Sequence, residues 1–290
     1  MTYQFRNSGI INQGTMNISG TAIGDGAMVV QHGSPQDRGN RRVELGVITV
    51  KSLEARAVVD ILRLRRERIE TTDFYCGTVA DQGEQGRVAM IQNMEQGQRS
   101  TIPAFEWLKE VFRPAVVALV GIGGGFHPDI PMGDVAIATR AVYYDLRKET
   151  KHGIQRRGQE RETSAAVIRA VNSFFVEHGE PARFRGDHAE FQASPCIIGT
   201  GDAVIKDAES EIRKYLKQYN DKISVVDMEA GGLTQAFHER RNPAEMVGWV
   251  VVRGVSDHAD ENKNDALQVT AARHAAQVLR ALIPYLPYRT

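Results

Sequence analysis

Two cysteines are all that the 290-residue sequence contains, Cys76 and Cys196, far apart and with neither a CxxC spacing nor a histidine cluster around them. That excludes a disulfide-stapled scaffold and a cysteine-based metal site, and it points to buried, reduced thiols. Net charge is missing too: 36 Lys and Arg balance 36 Asp and Glu. A dedicated binder of nucleic acid or of anionic membranes needs an excess of positive charge, so neither is expected as a partner. No apolar run approaches the roughly 20 residues of a membrane span. The stretch Met1–Gln13 is polar, without the apolar core of a signal peptide. A cytoplasmic protein is expected. What is present is ordinary globular material, 42% hydrophobic and 25% charged, which excludes a fully disordered chain.

Residues 1–42 differ in texture from the rest. Ile10–Val30 reads IINQGTMNISGTAIGDGAMVV, with glycines at 14, 20, 24 and 26, and Gln31–Arg42 is polar and turn-rich. Two readings stand: a flexible leader or added hairpin, or a self-associating β segment, since Gly, Asn and β-branched residues with little charge favour stacked strands. The arm resembles short Gly/Asn-rich signalling motifs that precede bacterial effector domains.

From Val43 to the end the pattern alternates strands and helices, with no internal repeat. Strands are predicted over Val43–Val50, Arg87–Gln92, Pro114–Gly121, Asp134–Ala138, Cys196–Gly199, Val225–Asp227 and Val247–Gly254. Helices are predicted over Ser52–Arg66, Thr101–Phe112, Ser164–Glu177, Lys206–Gln218, Glu229–Glu239 and Ala266–Tyr285. The almost wholly apolar PAVVALVG suits a central strand covered on both faces. This is an α/β domain: a central, mostly parallel (mixed) twisted sheet flanked by helices in three layers.

Ligands in such folds bind beyond the carboxyl ends of the strands. Three segments stand out there. Gly121-Ile122-Gly123-Gly124-Gly125-Phe126 follows PAVVALV; it reads as a backbone nest or as a tight strand exit, and it is neither GxGxxG nor a P-loop. Asp227-Met228-Glu229-Ala230 sets two carboxylates at a strand end and a helix start. One acid is explained as a cap, while two are also well placed to accept hydrogen bonds from a vicinal diol such as ribose. Arg253-Gly254-Val255-Ser256-Asp257 puts an Arg and an Asp about a strand exit. Either the two pair with each other, or Asp257 is a partly desolvated acid suited to donating a proton.

Taken together, with Met132-Gly133-Asp134-Val135 between the first and second, these segments resemble the nucleoside phosphorylase/nucleosidase superfamily, most closely its methylthioadenosine/S-adenosylhomocysteine nucleosidase branch. The resemblance spans about Leu45 to Leu286. It implies a nucleoside phosphorylase-like fold, an N-glycosidic hydrolase active on an adenine nucleoside or nucleotide, no metal or organic cofactor, and a homo-oligomer (dimer, trimer or hexamer), in which the arm would mediate assembly. It implies that Asp257 protonates N7 of the purine, that Glu229 holds the ribose hydroxyls, and that Met228 packs under the sugar. Glu54, eight residues after Gly46, would position the attacking water, with Arg253 beside it. Gly201–Ile205 would recognise the base, with Val204 where a stacking aromatic is usual and Ile205 next to it; Gly123, Gly124, Asp227 and Ser256 would complete the binding set.

This chemistry agrees with general requirements. An N-glycosidic bond, like an O-glycosidic one, breaks through an oxocarbenium-like sugar. The loop Val120–Phe126 holds no Arg or Ser to grip phosphate, and a carboxylate at 54 repels phosphate and suits water. Arg99 and Ser100 are the residues that could restore a phosphate site, making a salvage phosphorylase the alternative. A non-catalytic nucleoside sensor is a second alternative, against which the intact acids argue. The basic run Arg147–Glu162 is expected to be a loop at the ligand edge. It is either a solvated surface or, through Lys151, Arg156 and Arg157, a grip for 5′-phosphates. In that case the substrate is AMP or ATP, and a nucleosidase joined to a self-associating arm would act as an effector in phage defence. His127 and His258 are further candidates to line the site.

Overall fold

The computed structural model describes residues 41–81, 84–126, 130–187, 189–205, 207, 209–241, 245–258 and 267–288. The arm over 1–40 and His127 lie outside them. The chain divides into two units between Arg42 and Val43, and the account here is of the second.

Strand β1 (Leu45–Thr49) opens the domain and is buried throughout. Helix α1 (Ser52–Leu62) follows and stops at Arg63, which adopts a left-handed conformation with φ 55°. The helix predicted to reach Arg66 therefore ends early. Arg65–Ile69 instead forms β2, hairpinned to β3 (Thr72–Asp81). Sequence periodicity missed this pair because β2 is exposed and almost wholly charged. It is held by backbone pairing and by Arg66 and Arg68 on Asp73, not by an apolar face. Strand β4 (Glu84–Gln92), helix α2 (Gln98–Phe112) and strand β5 (Val116–Gly125) come next.

Strand β6 (Val135–Tyr143) leads into a second departure from expectation. The basic run after it is no loop: β7 (Arg147–Thr150) and β8 (Gly153–Arg156) make a hairpin, and β9 (Gln159–Glu162) returns along β6. The remainder is α3 (Ala165–His178), β10 (Ala182–Arg185), β11 (Glu190–Thr200), α4 (Glu211–Tyr219), β12 (Ile223–Asp227), α5 (Ala230–Arg240), β13 (Gly248–Asp257) and α6 (Gln268–Leu282). Ser164 and Ser210 cap α3 and α4 through their hydroxyls, which fixes where those helices begin.

The sheet runs β10-β11-β6-β13-β5-β1-β4-β3-β2. Strand β12 pairs with both β11 and β5, so the pairings close a ring, β6–β13–β5–β12–β11 and back to β6. Strands β4, β1, β5 and β13 are mutually parallel, and β13 meets β6 antiparallel, so the sheet is mixed.

Helices cover both faces. Along β5, Val116, Ala118 and Val120 pack toward α1, α3 and α6, whereas Val117 and Leu119 pack toward α2 and α5. The same alternation runs along β13, with Val250 and Val252 on one side and Trp249, Val251 and Val255 on the other. This two-sided cover is why both strands read as unbroken apolar runs. Each fully buried aliphatic side chain there contributes about 1.5–3 kcal/mol. A smaller cluster, with Tyr144, Ile205 and Leu216, sits under α4. Cys76 and Cys196 remain thiols, half-buried rather than fully buried. Among the described residues no helix is long and apolar enough to cross a membrane.

Gly254, in the middle of β13, lies directly against the backbone of Ala271 on α6, so a Cβ there would overlap the Ala271 carbonyl. Because backbone meets backbone, no rotamer change relieves the overlap. Gly254→Ala is expected to destabilise the domain by about 3 kcal/mol, the upper end of overpacking costs. Urea unfolding checks it; a loss under about 1 kcal/mol would show that α6 shifts freely.

Candidate active site

Strand β12 delivers Asp227 at its last residue. Its carboxylate accepts the backbone N–H groups of Ala230 (3.1 Å) and Glu229 (3.3 Å), so it starts α5. The same carboxylate takes Arg253 through Nη2 at 2.6 Å and Nε at 3.1 Å. Arg253 Nη2 also donates to Glu229 Oε2 at 3.0 Å, and the N–H of Gly97 donates to Glu229 Oε1 at 2.9 Å. Arg253 therefore pairs with Asp227 and Glu229, not with Asp257.

These groups are out of water: Arg253 is 1% exposed and Glu54 2%. Burial works against the charge on Arg253, but Asp227, Glu229 and Glu54 outweigh it and hold its pKa above the ordinary value. The Glu229 carboxyl is pushed up to about 7: burial raises it most, the charges of Asp227 and Glu54 add to the rise, and Arg253 and the Gly97 N–H oppose it.

Glu54 reaches in from the first turn of α1. Its Oε2 accepts the N–H groups of Val50 and Lys51, both at 2.8 Å, and its Oε1 accepts that of Ile122 at 2.9 Å. Three backbone donors fix this carboxylate. Gly121 makes room for it, since a Cβ there would stand 2.5 Å from Glu54 Cδ and 2.6 Å from Arg253 Nη1. Arg253 Nη1, beside Glu54, has no hydrogen-bond partner among the described residues.

Glu54, Asp227, Met228, Glu229, Ser256 and Asp257 line one cleft together with Gly123, Gly124, Val204 and Ile205. The cleft forms where β12 crosses β5 antiparallel, Val226 opposite Gly124, bringing strand ends from both directions to one place. Asp257 ends β13 and is joined by Ser256, whose hydroxyl donates to Asp257 Oδ2 at 3.0 Å. Val204 is half exposed at the rim, while Ile205 is buried.

Other expectations are corrected. Gly121–Gly125 is neither nest nor exit; it continues β5 and pairs with β13 and β12. Asp227 is spent on the α5 start and on Arg253, so the two acids of the pair do different work. Arg156 does not line the cleft: its Nη1 donates to the Tyr144 carbonyl at 3.1 Å and lies 3.6 Å from Asp145. Arg157 is exposed and does not line it either. Arg99 and Ser100 border a separate cavity with Pro103 and Trp107. His258 is half-buried and outside the cleft lining. Among the described residues no cluster of three or more His, Cys, Asp or Glu could hold a metal ion.

Sequence reasoning missed Lys51, Gln96, Gly97 and Tyr144. The signal was available, because each follows the carboxyl end of a strand: β1, β4 and β6.

The fold and this cleft define a class. The chain belongs to the Phosphorylase superfamily, whose signature matches residues 44–284. Among its relatives is a 5′-methylthioadenosine/S-adenosylhomocysteine nucleosidase of Anoxybacillus flavithermus, 27% identical over 250 residues, or 78% of this chain and 93% of that one. Another is the ATP nucleosidase Cap17 of Escherichia coli, 25% identical over 183 residues, covering 57% of this chain and 35% of that protein. Among solved structures, an S-adenosylhomocysteine nucleosidase of Streptococcus pyogenes superposes with a TM-score of 0.66 at 20% identity, covering 85% of this chain and 98% of that one.

Removing the shared cation strands its acids in a dry site. Arg253→Met is expected to cost about 3–5 kcal/mol, because uncompensated buried charges remain. Asp227→Asn, which leaves Glu229 on the arginine, is expected to cost less. Chemical denaturation of both variants checks the order, and the reverse order would show that Asp227 acts chiefly as a cap.

Proposed function

We propose that this protein hydrolyses the N-glycosidic bond of a purine nucleoside or nucleotide, with adenine as the base. The observation that carries the reading is the convergence of three acids with separate surroundings in one cleft: Asp257 at the end of β13, Glu229 held by Arg253 and Gly97, and Glu54 held by three backbone donors. Asp257 gives its proton to N7, so the base leaves as a neutral molecule and the C1′–N9 bond breaks. Glu229 accepts the ribose hydroxyls and Met228 packs under the ring. Water adds at C1′ and passes a proton to Glu54, giving free base and free sugar. Arg253 Nη1, beside Glu54 and without a hydrogen-bond partner among the described residues, is placed to orient that water.

Water is favoured over phosphate as the nucleophile. The cleft carries four carboxylates, and Arg99 and Ser100 border a different cavity. A phosphate dianion in the place of that water, directly against Glu54, would meet strong repulsion in a site this poorly solvated. The relatives named as nucleosidases support hydrolysis as well.

The finer reading is a nucleotide-degrading effector of phage defence. It is cytoplasmic and homo-oligomeric, with residues 1–42 as the self-association segment and 43–290 as the catalytic domain. The relative named ATP nucleosidase supports the nucleotide half of that reading.

Chromatography of products from ATP, AMP, adenosine and methylthioadenosine, each with and without phosphate, tests the proposal. Adenine released without phosphate is expected. Strict phosphate dependence would make the protein a phosphorylase, and no base from any substrate would overturn catalysis altogether. Asp257→Asn is expected to lower kcat by about a hundredfold or more, as for a lost general acid. The pH profile follows from Glu229. Its raised pKa means that the free enzyme loses the diol-binding carboxylate as pH falls below about 7, so kcat/KM should drop toward acid, and Glu229→Gln should remove that limb. A profile flat from pH 8 to pH 5 would place the diol elsewhere.

A further inference from the structure

Once the acids have been assigned, one sector of the cleft is left over. It is formed by Val50, Lys51 and Gln96. Its backbone is tied to the acids, since the Lys51 N–H holds Glu54 and Gln96 adjoins Gly97, whose N–H holds Glu229, while the Lys51 side chain turns to Gln268. Under the hydrolase reading, the base is fixed at Asp257 and the diol at Glu229. The substituent carried at C4′, the ring carbon beside the diol, then falls to this remaining wall.

Lys51 is the one cationic side chain lining the cleft among the described residues. It is half-buried, and its Nζ donates to the side-chain carbonyl of Gln268 at 3.1 Å, a neutral partner on the first residue of α6. Gln268 is itself buried, so it steadies the ammonium without cancelling its charge. Among the described residues no carboxylate pairs with the Lys51 ammonium: the oxygens of Glu54 accept backbone N–H groups and those of Glu229 accept Arg253 and Gly97. A steadied, half-dry ammonium beside an exposed glutamine suits an anionic oxygen. It is unsuited to an apolar thioether, which would strip water from the charge and return nothing.

We infer that Lys51, with Gln96, reads a phosphate on the 5′ carbon, so that the preferred substrate is a 5′-phosphorylated purine nucleoside rather than a 5′-thioether or unsubstituted one. The inference rests on the hydrolase reading. It replaces Arg156 and Arg157, which stand outside the cleft, with a residue that sequence reasoning did not single out.

The test compares kcat/KM for AMP, adenosine and methylthioadenosine in the wild-type protein, Lys51→Met and Lys51→Arg. Using the ratio of AMP to methylthioadenosine within each protein cancels any general loss of folded enzyme. The wild type is expected to favour AMP. Lys51→Met should lower the ratio by about tenfold or more, as for a lost charged hydrogen bond, and Lys51→Arg should keep it within about threefold. A ratio unchanged in Lys51→Met, or a wild type that prefers methylthioadenosine, overturns the inference while leaving the hydrolase reading intact. If no substrate yields base, the hydrolase reading has failed. Calorimetric Kd values for AMP and adenosine then read the same selectivity, and equal affinities, or a preference that survives Lys51→Met, overturn the assignment of Lys51.

Discussion

A single buried guanidinium organises this protein. Arg253 projects from the most central strand pair of the sheet and meets Asp227 and Glu229 from the β12–α5 junction, with Glu54 close by. An arginine in such a place is tolerated only when its donors are matched by acids. The consequence runs in both directions. The acids hold the charge of the arginine, and the arginine fixes where the strand ends can sit relative to one another. Asp227 shows the economy of the arrangement, because the carboxylate that starts a helix also receives two donors from the arginine. Take the cation away and the cleft loses its geometry, not just one of its groups.

Around that brace, the acids differ in how they are kept. Glu54 is held as an acceptor by three backbone N–H groups. Glu229 shares itself between a cation and one backbone donor, and burial leaves it near neutrality in its titration. Asp257 has a serine hydroxyl beside it at the tip of a strand. Chemically similar side chains, far apart in the chain, are thus given separate surroundings within one cleft.

Much of this was legible beforehand, for identifiable reasons. The strands at Pro114–Gly121 and Val247–Gly254 announced themselves because helices cover both of their faces. Asp227, Glu229 and Asp257 were visible because charge next to a core strand is rare. What failed did so where the physics is not periodic. Strand β2 and the hairpin at Arg147–Arg156 are exposed and mostly polar, so no apolar pattern marks them. Arg156 looked like a phosphate ligand by charge alone, but Asp145 and the Tyr144 carbonyl had already engaged it. Lys51 was passed over because one lysine after a strand resembles any surface lysine until the cleft is seen. The pairing of Arg253 was equally hidden, since its acids lie 24 and 26 residues away in the chain.

The sheet that carries the site closes on itself in the middle but still ends somewhere, at β2 on one side and β10 on the other. Both outer strands carry exposed arginines: Arg65, Arg66 and Arg68 on β2, and Arg183 and Arg185 on β10. An open edge is a template on which another chain can add a strand, and exposed charged side chains along it discourage that addition. Either edge is therefore a poor template for a second copy of the domain, because strand pairing there would bring exposed arginines against one another.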